Sequence, residues 1–138
     1  VVEGARPATG DDLVRVAELS RQARDEAGDD LARALEDGSS CVLAGTIDEV
    51  VVGFASARIE QLRDGTTLGV IGDLYVEPDA RGVGVGEALM DALLVWASER
   101  GCQGVDATAL PGDRATKNFF EGSGFTARLL VMHHRVQP

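Results

Sequence analysis

The sequence predicts an α/β (α+β) fold, and three observations point to it. Short β-branched runs alternate along the chain with stretches of helical periodicity. The runs Cys41–Ile47, Val50–Glu60 and Thr66–Glu77 follow one another across tight turns, so they read as antiparallel neighbours. The third run then passes through a glycine-rich loop into a helix. At 138 residues the chain is expected to form one domain, 1–138, with a full core.

Taken in order, residues 3–8 (EGARPA) read as a first strand stopped by Pro7, whose ring removes a ladder donor. Thr9, Gly10, Asp11 and Asp12 offer N-caps for a helix carrying Leu13, Val16, Ala17, Ser20 and Ala23 at helical spacing. Gly28 breaks that helix. Asp29 or Asp30 caps a second one with Leu31, Ala34 and Leu35, stopped by Gly38. Asp48-Glu49 makes the first hairpin turn and residues 62–65 (LRDG) the next. Pro78 ends the third strand. After the glycine loop, Val85, Ala88, Leu89, Ala92, Leu93 and Trp96 form one apolar helical face, and Gly101 stops the helix. Residues 105–110 (VDATAL) read as a strand. Asp113 caps a helix through Glu121, and residues 125–136 (FTARLLVMHHRV) read as a last strand. The element order is βααβββαβαβ.

The glycine loop carries the chemistry. Gly82, Gly84 and Gly86 deliver bare backbone N–H groups to a helix N-terminus, where four donors lack partners and the helix dipole adds partial positive charge. A phosphate or pyrophosphate suits that site; the bland alternative is a tight turn without a ligand. A P-loop needs Gly-Lys-Ser/Thr, which Gly86-Glu87-Ala88 does not supply, and Leu89 stands where a dinucleotide fingerprint needs a small residue.

The motif is instead Arg81-Gly82-Val83-Gly84-Val85-Gly86, preceded by Leu74-Tyr75-Val76-Glu77-Pro78. It resembles the acyl-coenzyme A signature of the GNAT superfamily of N-acetyltransferases. Residues 5–13 at the start, and Asn118 to Phe125 (NFFEGSGF) near the end, resemble the same family. The resemblance implies a mixed, mostly antiparallel central sheet flanked by helices. It also implies acetyl-CoA as cosubstrate and direct attack of a primary amine on the thioester in a ternary complex. Backbone groups of Leu74, Tyr75 and Val76 would meet the pantetheine arm, on a strand that carries a β-bulge. The N–H groups of Val83, Gly84, Val85, Gly86, Glu87 and Ala88 would hold the pyrophosphate, with Gly82 shaping the loop. Arg81 would add charge there, or face solvent. Asn118 and Phe120 would lie along the cofactor, though capping or solvation suits Asn118 equally.

An amine that titrates near 10.4, as lysine does, must lose a proton before it attacks. Asp73 is the first candidate to take it, directly or through a water. The alternative is a structural aspartate pairing locally or facing the other side of the sheet. Glu60 and Glu77 are weaker candidates, expected to be exposed at strand ends. Phe120 departs from the family, where tyrosine often donates a proton to the departing thiolate. Tyr75, the only tyrosine, or a water would substitute, unless Tyr75 merely packs. That departure keeps a second reading open: a CoA-binding module with weak or no catalysis.

Composition bounds the rest. A net charge of −10 excludes non-specific nucleic-acid binding, which needs cations to displace counterions. It suits a cationic acceptor, a small molecule or a protein amine, as well as plain solubility. Asp25, Glu26, Asp29, Asp30, Glu36 and Asp37 form either a solvated helical face or a substrate rim. No apolar run approaches a membrane span, and no signal peptide is visible, so a cytoplasmic location is expected. Cys41 and Cys102 lack metal-ligand spacing and read as small packing residues. His133 and His134 would point to opposite faces of a strand, so no metal is expected. Trp96 reads as core. The resemblance leaves room for a homodimer, although no patch in the sequence requires one.

Overall fold

The computed structural model describes residues 2–24, 40–109 and 114–138. The expected second helix, from Asp29 to Gly38, and the acidic residues on and before it lie outside the described residues. Two compact units are distinguished, Val1–Thr108 and Ala109–Pro138.

The first unit is built on a five-stranded sheet in the order β1-β2-β3-β4-β5. Its strands are β1 Glu3–Pro7, β2 Ser40–Ile47, β3 Val50–Gln61, β4 Thr67–Val76 and β5 Gly104–Asp106. The first four pair antiparallel and β5 joins β4 in parallel, so the sheet is mixed and mostly antiparallel, as expected. The two-residue turn between β2 and β3 holds Asp48 at φ 48° and Glu49 at φ 73°. Both central residues are left-handed, which matches the twist of a tight hairpin.

Helix α1, Leu13–Arg24, follows a 3₁₀ turn at Gly10–Asp12. The Asp12 carboxylate accepts hydrogen bonds from the Thr9 N–H (2.8 Å) and from the Arg6 guanidinium (2.6 and 2.9 Å), tying β1 to the helix start. Val16 and Leu19 of α1 pack on Val42 and Phe54, with Tyr75 at the margin. Helix α2, Val85–Glu99, covers the other face. It buries Val85, Leu89, Met90, Leu93 and Ala97. The buried face is therefore rotated from the expected one: Met90 and Ala97 are inside, whereas Trp96 is half-buried with Arg100 over its ring at 5.8 Å. Gly45 lets α2 approach, since a Cβ there would lie 2.7 Å from a Val85 methyl.

Two strand expectations are corrected. The strand expected over residues 105–110 covers only Gly104–Asp106, and Leu110 is outside the described residues. Residues 125–136 form no strand. In its own unit this segment follows helix α3, Arg114–Gly122, and the described residues of that unit include no strand. A strand-forming run makes a ladder only with a partner strand. Leu129, Leu130, Val131 and Met132 are 72–83% exposed. Within this unit Phe120 packs on Phe119 and Phe125, with ring centroids 5.8 and 5.2 Å apart.

Candidate active site

The site is assembled on the C-terminal half of β4 and the start of α2. Between Ser56 and Ala57 of β3 the pairing with β4 shifts register: Ile71 lies opposite Ala57 and Asp73 opposite Ser56. Gly72 is the extra residue of a β-bulge. The bulge reverses side-chain parity. Ile71 is buried, while Asp73, two residues on, shares the α1 face with Ser56, Phe54 and Tyr75. Asp73 is half-buried and accepts a hydrogen bond from the Ser56 hydroxyl at 3.3 Å. Its own N–H donates to that hydroxyl at 3.1 Å.

Backbone direction on β4 follows from one bond. The Glu77 N–H donates to the Val52 carbonyl at 2.9 Å. By the two-residue alternation of an antiparallel ladder, Tyr75 also directs its N–H and C=O at β3. Leu74 and Val76 direct theirs away from β3. Strand β5 pairs only with Leu68, Gly69 and Val70, so it stops short of both. The expectation for backbone groups of Tyr75 is thereby corrected: they belong to the β3 ladder. Leu74 and Val76 are the residues whose groups line that edge. Gly53, opposite Val76, has no room for a side chain, since a Cβ would lie 2.7 Å from the Tyr75 carbonyl oxygen.

The loop geometry suits an anion. Gly82 and Gly84 are left-handed, at φ 85° and 97°. Gly84 is the N-cap of α2, and no side chain caps that end. The Ala88 N–H is bonded to the Gly84 carbonyl at 3.0 Å. The N–H groups of Val85, Gly86 and Glu87 precede that first helical bond, as the four orphan donors of a helix start do. With the dipole they can bind a phosphate oxygen. Val83 is 43% exposed at the loop tip.

Arg81 is exposed, as one of its two readings had it, but it is also tied to β4. Its Nε donates to the Val76 carbonyl at 2.8 Å, and its guanidinium lies 5.5 Å from the Tyr75 ring centroid. It caps the end of β4 and covers Tyr75. Glu77 is not an exposed strand end: Arg15 of α1 pairs with its carboxylate and donates through Nε to the Val51 carbonyl at 3.1 Å. Glu60 is exposed and lies beside Arg58. Sequence reasoning missed Ser56 and Arg15, because each is defined by a partner far along the chain. The one local signal was Gly72 inside a β-branched run.

Asn118 is exposed on α3, and Phe120 belongs to the aromatic cluster of the second unit. His133 and His134 lie on no strand, which removes the geometric argument made for them; among the described residues no group of three metal-ligating side chains occurs. Both cysteines are free. A cavity of about 530 Å³ lies elsewhere, between the β1–β2 edge and the last turns of α2, lined by Arg6, Cys41, Trp96 and Arg100. Among the described residues no helix is long and apolar enough to cross a membrane.

A bulged strand thus leads into a glycine-capped helix whose start can hold a phosphate. The chain belongs to the acetyltransferase (GNAT) family, whose model matches residues 11–125. It is 30% identical to an aminoglycoside N(6')-acetyltransferase type 1 of Stenotrophomonas maltophilia, over 95% of this chain and 91% of that protein. Its fold superposes with a TM-score of 0.87 on AAC(6')-Iy in complex with the bisubstrate analogue CoA-S-monomethyl-acetylneamine, at 20% identity and full coverage of both chains. A ribosomal-protein-alanine N-acetyltransferase from Brucella melitensis biovar Abortus superposes at 0.80, with 23% identity over 98% of this chain and 99% of that one.

Proposed function

We propose that this chain transfers the acetyl group of acetyl-CoA to a primary amine of a small polycationic acceptor of the aminoglycoside kind, within a ternary complex. The observation that carries the choice of acceptor is the 30% identity, along nearly the whole chain, to an aminoglycoside acetyltransferase. The net charge of −10 supports it, because acidic surface attracts a polycation.

The chain's residues take the following parts. The N–H groups from Val83 to Glu87 hold the pyrophosphate of the cosubstrate, whereas the Ala88 N–H is taken by the Gly84 carbonyl. Leu74 offers backbone groups to the pantetheine arm along the edge of β4 that faces away from β3, and Arg81 holds the Val76 carbonyl in place. The Val76 N–H faces the thioester oxygen as charge builds there. The acceptor ammonium gives a proton to Asp73, or to a water that Asp73 holds. The amine nitrogen then bonds to the carbonyl carbon, the carbon–sulfur bond breaks, and the second proton that the nitrogen sheds passes through water to the departing thiolate of coenzyme A. Holding both substrates in line is the larger share of such catalysis. Tyr75 stands under Arg81 as the alternative proton donor to sulfur. The reading takes residues 1–138 as one acetyltransferase domain and places it in a reducing cytoplasm, which suits two free thiols.

The test is thiol release from acetyl-CoA with neamine, sisomicin, spermidine and a lysine-bearing peptide. Turnover with the two aminoglycosides at lower KM than with the peptide is expected. Turnover with the peptide alone would overturn the choice of acceptor. Phe120 favours a second reading, a CoA-holding module with weak catalysis. On that reading the four amines are acetylated only at a trace rate, and Phe120→Tyr raises it.

A further inference from the structure

We propose that Ser56 is a positioning residue that aims the Asp73 carboxylate across the β4 bulge, with Gly72 as the residue that leaves it room. The inference rests on the reading of Asp73 as the proton acceptor. A bulge breaks the ladder locally and leaves its neighbouring backbone groups in need of other partners. Here one hydroxyl answers twice: Ser56 Oγ accepts the Asp73 N–H at 3.1 Å and donates to Asp73 Oδ2 at 3.3 Å. A serine hydroxyl has one donor and two acceptor positions, so both bonds fit at once. The pair fixes the backbone of Asp73 and the swing of its side chain together. A Cβ on residue 72 would stand 2.9 Å from Ser56 Oγ, closer than such atoms approach, so a side chain there would push the hydroxyl off both partners. The bulge, the glycine and the serine therefore act as one device. The bulge turns Asp73 towards the α1 face, and Ser56 holds it there.

A proton acceptor works only within hydrogen-bonding reach of its proton, and small misplacements at a reacting centre cost large factors in rate. Ser56→Ala is expected to lower kcat about tenfold, a fraction of the roughly 10² to 10⁴ that general base help supplies. KM for acetyl-CoA should stay within about twofold, because the pyrophosphate loop and the β4 edge are untouched. Ser56→Thr keeps the hydroxyl and should restore most of kcat, while Gly72→Ala should fall as Ser56→Ala does.

The experiment is steady-state kinetics of these variants, of Asp73→Asn and of the Ser56→Ala/Asp73→Asn double variant, with the best acceptor of the four amines above and a thermal melt of each. In the Asp73→Asn background, Ser56→Ala should cost nothing further. Wild-type kcat in Ser56→Ala beside an impaired Asp73→Asn would overturn the positioning role and leave Asp73 standing. Wild-type kcat in Asp73→Asn would overturn the reading of Asp73 and this inference with it. A loss in Ser56→Ala that Ser56→Thr does not restore, or that adds fully to Asp73→Asn, would show that Ser56 acts on something else.

Discussion

Gly45→Ala tests how the packing of α2 sets the cofactor loop. The added Cβ would lie 2.7 Å from Val85 Cγ1 and 3.0 and 3.2 Å from two atoms of Leu89. Carbon atoms sit comfortably at about 3.5–4.0 Å, so the first turns of α2 must retreat by roughly 1 Å. Val85 and Leu89 are 1% and 0% exposed and have no free space to rotate into. Overpacking of this kind costs about 1–3 kcal/mol. For a chain of this length that is a fall in Tm of roughly 3–12 °C, at about 3–4 °C per kcal/mol. Val85 is the first residue of α2, so the donors at the helix start move with it. Acetyl-CoA should bind about three- to tenfold more weakly, a conservative share of what a displacement near 1 Å can cost. The assay is a thermal melt and a calorimetric titration of Gly45→Ala beside Gly10→Ala. A Cβ on Gly10 meets nothing within 4 Å, so that control should behave as wild type. A Gly45→Ala protein that melts and binds like the control would refute the claim that α2 rests directly on Gly45. Lower stability with unchanged binding would refute the link from packing to loop.

Two further outcomes follow from titration and burial. The Arg6 guanidinium beside Asp12, with the Thr9 N–H, holds the Asp12 carboxyl well below the usual carboxylate range, against the opposing effect of burial. Its folded value is below its unfolded one, so its stabilisation is full above about pH 4 and is lost as pH falls through the folded value. Asp12→Asn should cost about 1–2 kcal/mol at pH 7, discounted because Arg6 is 45% exposed, and the gap in urea midpoint should narrow steadily below pH 4. A gap that widens on acidification would contradict the sign. Burial pushes the Cys41 thiol up to about 11, only partly offset by Arg100. Iodoacetamide at pH 8 should therefore label half-buried Cys102 well before Cys41 in the folded protein, as peptide mass spectrometry would show. Equal labelling would mean that Cys41 is open to solvent.

What could be read from the sequence was what is local. The Asp48-Glu49 hairpin turn, the stop at Pro78 and the run Gly82-Val83-Gly84 are each decided by a few adjacent residues, and all three are where they were expected. Trp96 shows the limit of periodicity. An apolar stripe on α2 is wide enough to rotate by one residue, and it buried Met90 and Ala97 while leaving Trp96 at a cavity rim. Residues 125–136 show a second limit, because a strand pattern describes a willingness to pair and not a partner. The site was half legible. The glycine loop lies at the helix start the sequence indicated, but Arg81 turns back to Val76 and Tyr75, and Glu77 is held by Arg15, 62 positions earlier. Long side chains choose among partners that only the fold assembles. The bulge at Gly72 decides which face Asp73 takes, and a one-residue slip of that kind leaves no trace in alternation alone.

The most direct measurement is a calorimetric titration of acetyl-CoA into the protein and into Gly84→Glu. Gly84 has φ +97°, and a Cβ there would lie 3.3 Å from the Glu3 side chain, so the variant strains the loop and places a carboxylate among the phosphate donors. The account predicts micromolar binding by the wild type and its loss in a variant that still melts cooperatively. No binding by the wild type, or equal binding by both, would contradict the claim that the start of α2 is the acetyl-CoA site.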